Sequence, residues 1–367
     1  MNSVRRMEKP YDVIVVGAGI GGLTTAALLS ARGMNVCLLE RQSQVGGCIA
    51  RVEFSDYNFE PGMGLYTGFG PGGIYEKLFS ELPVDAPEVS PLASRHVTRQ
   101  SDGTDVQSTH DNLYSIAGGP ASLAKRLAES IKSSGGKVRL NSPVLRLSYD
   151  ESSCPTGVDL LSGERVFARK IISNLTIWDT YGKLIGLNRT PAEIKKRLNT
   201  LQGTGVYVLY ASIEESAVVR LPAERLRVEH DEGEFHMAVC SAESGPHGKR
   251  AVTFTARTEV EPWFSYQSSE EDYEEWDQVA LEKFWNRLHA ALPELGGDIE
   301  VIETANPRTY YDVTRRKLGM VLGVECPPEH FSSRTFLPNL FIVGDTVSAS
   351  ATLDSVVASA MLLANQL

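Results

Sequence analysis

The sequence is poor in the residues that hold metals and disulfides. Its five cysteines, Cys37, Cys48, Cys154, Cys240 and Cys326, lie far apart and form no CxxC pair, so neither a disulfide framework nor a zinc site is expected. The seven histidines are equally scattered and make no HExxH spacing, which argues against metal catalysis. Positive charge is in deficit: 36 Lys and Arg against 46 Asp and Glu leave a formal charge of −10. Nucleic acid needs clustered Lys and Arg, and an anionic membrane attracts polybasic segments, so charge favours neither partner. A long hydrophobic run is also missing. The apolar stretch after Tyr11 is broken by glycines and stops at Glu40, which excludes a membrane span or a signal peptide there. Peripheral membrane contact stays open, and a reducing cytoplasm is the simplest expected setting for such thiols. There is no internal repeat and no low-complexity segment. With 42% hydrophobic residues over 367 positions, the chain can bury a large core around an interior ligand, in two domains rather than one.

What is present begins with a β-α-β unit. Tyr11 to Val16 is an apolar, β-branched run of the kind buried on both faces of a parallel sheet. A helix should follow to about Arg32, closed by Gly33, and Val36 to Glu40 should be the second strand. Between them stand Gly17-Ala18-Gly19-Ile20-Gly21-Gly22, a GxGxxG pattern in the right place. Gly17 permits the tight turn, Gly19 lets a pyrophosphate approach the backbone, and Gly22 allows close helix–strand packing. The phosphates would sit on the helix N-terminus, where free N–H groups and the dipole favour anions. Glu40 lies 18 residues after Gly22, where a carboxylate accepts from ribose hydroxyls and disfavours a 2′-phosphate. The pocket therefore suits the ADP half of FAD or NAD better than that of NADP.

Further on, Gly46-Gly47 and a glycine-rich passage with Gly62, Gly64, Gly68, Gly70, Gly72 and Gly73 suggest backbone that approaches a ligand closely. Pro120 should open a helix with Leu123, Leu127 and Ile131 on one stripe, stopped by Gly135-Gly136. Val158 to Leu161 and Arg165 to Ala168 read as a hairpin, and Lys170 to Ser173 as a separate buried strand. In the middle, Val206 to Ile213, Glu234 to Ser241 and Arg250 to Thr258 alternate like an antiparallel sheet with one solvated face. A long helix should run from Ser268-Ser269 to about Leu292. Near the end, the buried strand Leu340 to Val343 leads into Gly344-Asp345. Such a carboxylate can meet the ribityl or pyrophosphate region of a flavin. The helix that follows, about Asp354 to Ala360 with Val356 in its first turn, can aim N–H groups at the ring's O2 edge.

The N-terminal block VIVVGAGIGGLTTAALLSARGMNVCLLERQSQVGG resembles the two-dinucleotide-binding flavoproteins, the amine oxidase-like superfamily. Ile116-Ala117-Gly118-Gly119, Ile171-Ile172-Ser173-Asn174, Asp179 to Leu184, Ala305-Asn306-Pro307-Arg308-Thr309 and the Gly344-Asp345 terminus are similar to the phytoene desaturase, carotenoid isomerase and retinol saturase group. The resemblance implies an α/β fold, α+β overall, with a Rossmann-like FAD-binding domain of the p-hydroxybenzoate hydroxylase and glutathione reductase type. Residues 1–84, 119–180 and 335–367 would form that domain, and 85–118 with 181–334 an inserted antiparallel-sheet substrate domain. It also implies that Val144 lies by the adenine and that Gly62 and Met63 lie near the flavin ring. The family often has Arg directly after the paired glycines, meeting the pyrophosphate; here that position is Cys48, read as a small packing residue ahead of a covalent flavin link or a reactive thiol, and Arg41 or Arg51 would have to substitute. The chain is also shorter in the middle than carotenoid-type members, so a C40 polyene is not implied.

The expected chemistry is hydride transfer at flavin N5, between FAD and a small, partly apolar organic molecule. The redox partner is not specified, nor is the oligomeric state. Wall candidates are Arg308 to Tyr311, Tyr207, Tyr210, Trp178 and Trp263. Tyr310 and Tyr311 are the catalytic candidates, by hydrogen bonding or by proton transfer if the hydroxyl pKa is lowered. Arg315 and Arg316 read as a solvated basic turn, with carboxylate binding as the other option. An amine oxidase, a non-redox FAD-dependent isomerase and a prenyl-protein binder like the Rab GDP-dissociation inhibitors remain as alternatives.

Overall fold

The computed structural model describes residues 9–62, 66–92, 96–107, 112–231, 233–265, 270–321 and 331–367. Met63, Gly64, Cys326 and the Ser268-Ser269 helix start lie outside these. Five strands build a parallel sheet in the order Leu340–Ile342, Arg165–Ser173, Tyr11–Val16, Val36–Leu39, Lys137–Arg139. Their side chains are apolar on both faces because both faces are covered. On one side lie the helices Ile20–Ala31, Pro120–Ser133 and Leu353–Gln366, packing Leu23, Leu127 and Leu363 against Val13 and Val15. On the other side Ile14 and Val16 meet Ile177, Trp178 and Tyr181.

One expectation is corrected here. The hairpin strand at Arg165 to Ala168 and the strand at Lys170 to Ser173 are a single strand, Arg165–Ser173. Its first half pairs antiparallel with Pro155–Leu160, and its second half runs parallel to Tyr11–Val16 and Leu340–Ile342. Arg169 breaks the apolar pattern without breaking the strand.

The second sheet has the order Ile299–Ala305, Gly205–Glu214, Lys249–Thr258, Phe235–Val239, Arg225–Val228, His96–Arg99, Asp105–Gln107. It is antiparallel except where Arg225–Val228 runs parallel to His96–Arg99. The expectation of one solvated face is also corrected. Tyr207, Leu209, Ala211 and Ile213 pack toward the helix Glu270–Ala291 through Phe284 and Leu288. The alternate residues Val206, Val208 and Tyr210 are buried too, against Tyr57, Phe59 and Ala305. Gly205–Glu214 is buried at every position but its last because both faces are covered.

Candidate active site

The cleft forms where the first strand hands over to the first helix. That helix starts at Gly19 with no side-chain cap and no acidic residue in its first turn, so its leading N–H groups are free for an anion. Gly22 sits where a Cβ would lie 2.3 Å from the Gly17 carbonyl oxygen, which no side chain can tolerate. The cleft has a volume of about 460 Å³ and is lined by Gly17, Gly19, Glu40, Gly47, Val144 and Arg316, among others. That size lies within the range of small-molecule sites.

Glu40 stands at the end of the second strand and is buried. Its Oε2 accepts from Ala18 N–H at 2.7 Å, and its Oε1 from Gln42 N–H at 2.8 Å. Two of the carboxylate's roughly four acceptor sites stay available for hydroxyl donors. Gly46 donates to the Ala18 carbonyl at 2.8 Å, which brings the Gly46-Gly47 turn against the first loop. Gly21 packs against Val343 and against Val356 of the final helix, and Gly344 lies against Asn174. Asn174 is a residue the motif reading undervalued. Its side chain fills the space beside Gly17, Gly19, Gly21 and Gly22, and it lines the cleft. The signal in the sequence was its place directly after a buried strand.

Asp345 pairs with Arg316, whose Nε also donates to the Met320 carbonyl at 2.5 Å. Burial acts to lower the Arg316 pKa, but the Asp345 carboxylate outweighs it and the guanidinium stays charged. The reading of Arg315 and Arg316 as a solvated turn holds for Arg315 alone, which pairs with Asp312 at the surface. Beside Arg316 lies Cys48, whose thiol pKa is raised by burial. Arg41 lines the cleft and Arg51 does not. Arg41 Nη2 donates to the Val313 carbonyl at 2.9 Å, and Arg51 pairs with Glu53 and Asn58 in solvent.

Of the wall candidates, Tyr210 and Tyr310 come together through a shared hydroxyl hydrogen bond, next to Phe54 and Phe59. Tyr207 stacks on Trp263 at 5.4 Å on the opposite face of the sheet, and Trp178 donates to Leu198 O in the core. Tyr311 is turned away from Tyr310, edge-on to Phe264 and beneath Arg315. Burial pushes the Tyr310 hydroxyl well above its usual value, the opposite of what proton transfer by a lowered pKa requires. Gly62 is exposed and lies outside the cleft lining. Two residues before it, Glu60 forms a part-buried pair with Arg225 at 3.0 Å, and burial raises its carboxyl pKa. Sequence reasoning missed Glu60 because its partner is 165 residues away.

Among the described residues no group of three or more His, Cys, Asp or Glu can hold a metal, and no helix is long and apolar enough to cross a membrane.

A parallel sheet wrapped by helices, an uncapped helix N-terminus over glycines, an acidic residue after the second strand and a second, mostly antiparallel sheet define a dinucleotide-binding flavoprotein architecture. Residues 94–367 match the family model of flavin containing amine oxidoreductases, and residues 15–82 match an NAD(P)-binding Rossmann-like domain. The chain belongs to the flavin-containing amine oxidoreductase family. Within it the chain is similar to prolycopene isomerase of Daucus carota, at 23% identity over 251 residues, 62% of this chain and 40% of that protein. A carotenoid 3,4-desaturase of Haloarcula japonica is 34% identical over 104 residues, 28% of this chain and 20% of that protein. The chain thus spans less than half the length of the curated relatives it matches. An oxidoreductase from Methanosarcina mazei shares the fold, with a TM-score of 0.73 at 15% identity, covering 96% of this chain and 99% of that one.

Proposed function

We propose that this chain is an FAD-dependent oxidoreductase, a dehydrogenase, desaturase or saturase, acting on a small, partly apolar organic molecule. The observation that carries the reading is the cleft itself. It joins a bare helix N-terminus, the Glu40 carboxylate and Arg316, which reaches back to Asp345 behind the lining. FAD bound there would supply the hydride chemistry at its N5. Glu40 would hold the ribose, and the N–H groups at Ala18 to Gly22 with the Gly46-Gly47 turn would hold the phosphates. Val144 would lie toward the adenine, and Gly344, Asp345 and the final helix around Val356 toward the ribityl and ring. Residues 1–84, 119–180 and 335–367 would serve the cofactor, and 85–118 with 181–334 the substrate.

The aromatic face of the second sheet supports the substrate class. Phe54 and Tyr310, the half-buried aromatic members of its cluster, would offer apolar area, and the Tyr310 hydroxyl, already bonded to Tyr210, would accept from a polar end. Since that hydroxyl stays protonated, Tyr310 positions rather than ionises. A second reading, isomerisation without net redox change, is favoured by the match to prolycopene isomerase.

The purified protein should be yellow and should take up FAD when stripped. Asp345→Ala and Glu40→Ala should each release flavin more readily. A stripped protein that takes up no FAD, or two variants that hold it as tightly as the parent, would overturn the reading. Anaerobic bleaching by simple amines would move it to an amine oxidase, and product of unchanged oxidation level to an isomerase.

A further inference from the structure

A dinucleotide's pyrophosphate brings two negative charges into a cleft, and a helix N-terminus offers only about half a positive charge in return. The residue after Gly46-Gly47, at the turn that abuts the first loop, is the neutral Cys48. The cationic side chains around the cleft are Arg41, Lys183, Arg315 and Arg316. Each of them has a partner, and three stand exposed. Arg41 is bound to Val313 O, Lys183 to Asp179 at 2.7 Å, and Arg315 to Asp312 at the surface. Arg316 alone of the four is turned inward, its side chain 16% exposed, against Cys48 and Asp345.

We propose that Arg316 supplies, from more than 260 residues downstream of the paired glycines, the guanidinium that holds the dinucleotide phosphates in this chain. The inference rests on the reading of the cleft as an FAD site. It also explains the shape of the segment that carries Arg316. Arg315 and Leu318 adopt left-handed backbone, at φ 56° and 50°, a conformation that branched or bulky side chains seldom take. Four contacts hold that shape: Lys317 N–H to Asp179 Oδ2 at 3.1 Å, Lys183 Nζ to Arg315 O at 3.2 Å, and Arg41 and Gln42 to Val313 O. Gly319 is compulsory, since a Cβ there would lie 1.8 Å from Pro307 O. A solvated basic turn needs none of this. The pairing with Asp345 has a purpose on this account. A bare carboxylate at that place would repel phosphate, and Arg316 offsets its charge while keeping donors on the cleft side.

The test is FAD titration of the stripped protein, followed by quenching of flavin fluorescence at low and high salt. Arg316→Met should weaken FAD binding about 10- to 100-fold, the size of a lost charge-assisted hydrogen bond. It should also flatten the salt dependence, because the screened charge pair is gone. Arg316→Lys should fall between, keeping the charge without the planar fork. Adding Cys48→Arg to Arg316→Met should recover affinity, by placing a guanidinium on the same ground from the other side. If the parent binds FAD and Arg316→Met stays within twofold of it, the proposal fails while the cofactor reading stands. A weaker variant with unaltered salt dependence also overturns it, since that marks a structural role. A parent that binds no FAD at all overturns the cofactor reading instead.

Discussion

Glu40→Ala separates the two tasks we assign to one carboxylate. In the folded chain without ligand, Glu40 accepts from Ala18 N–H, whose residue is fully buried, and from Gln42 N–H, which is partly buried. Removing the acceptor strands the Ala18 donor, at a cost of about 1–3 kcal/mol. Water can reach the Gln42 donor, so that loss is about 0.5 kcal/mol or less. The apoprotein should therefore lose about 1–3.5 kcal/mol of stability, read as a lower urea midpoint at unchanged slope. Glu40→Gln keeps a carbonyl for Ala18 but turns an NH2 toward the Gln42 donor, so it should recover only part. With FAD present, both variants should also bind about 10- to 100-fold more weakly, as charged acceptors for the ribose are lost. If the Glu40→Ala apoprotein unfolds at the parent's midpoint, the buried brace is refuted. If its FAD affinity is also unchanged, the ribose assignment goes with it.

Three further outcomes follow from the geometry. A Cβ at Gly19 would meet only the movable Asn174 Nδ2, at 2.6 Å, whereas one at Gly22 would meet backbone, at 2.3 Å. Gly19→Ala should thus fold and lose flavin, while Gly22→Ala should lose soluble protein; equal yields of both, with equal flavin content, would contradict this. Burial holds the Tyr310 hydroxyl protonated far past neutrality, so Tyr310→Phe should change turnover without moving any limb of the pH–rate profile between pH 6 and 9, on the order of the range where enzymes are assayed. A limb lost in that variant would restore Tyr310 as a proton carrier. Finally, Arg165 holds the Asp159 carboxyl at about 2, below its usual 3.8, with help from Ser148 and Arg146. A depressed carboxyl stabilises the fold above its unfolded pKa, and this is lost as pH falls toward 2. The contribution is on the order of 1–2 kcal/mol after discounting for the solvent-exposed arginines. Asp159→Asn should flatten the acid limb of stability between about pH 4 and 2, measured by unfolding across that window.

The Rossmann half was legible because its signals are local. Gly17 to Gly22, the flanking strands and Glu40 lie within thirty residues and obey one geometric rule. Pro120 and Gly135 likewise bracket their helix, Pro120–Ser133. The site's other wall was less legible, since it depends on pairings across the chain. Arg316 looked like half of a surface doublet because nothing near it in sequence shows Asp345 waiting inside. Tyr310 and Tyr311 are adjacent letters, yet one joins Tyr210 and the other leans on Phe264, since a helix turns about 100° per residue. The solvated face expected of Gly205–Glu214 failed because a strand's cover is set by what packs on it. Tyr57 and Phe59, which supply that cover, lie some 150 residues earlier.

The strand Leu340–Ile342 joins, and the helix Leu353–Gln366 covers, the sheet that holds Tyr11–Val16. That order has a consequence for synthesis on the ribosome. The helix Ile20–Ala31 emerges first, and part of its cover, through Val357, Ala360 and Leu363, is translated more than 300 residues later. Until then its apolar flank stays uncovered, and Asp345 is not yet made. The nascent chain must keep that surface from sticking while the residues between are made, at about 5–20 residues per second. The two parts of the proposed cofactor site, Gly17 to Gly22 and Asp345, therefore come together only once Asp345 has been made.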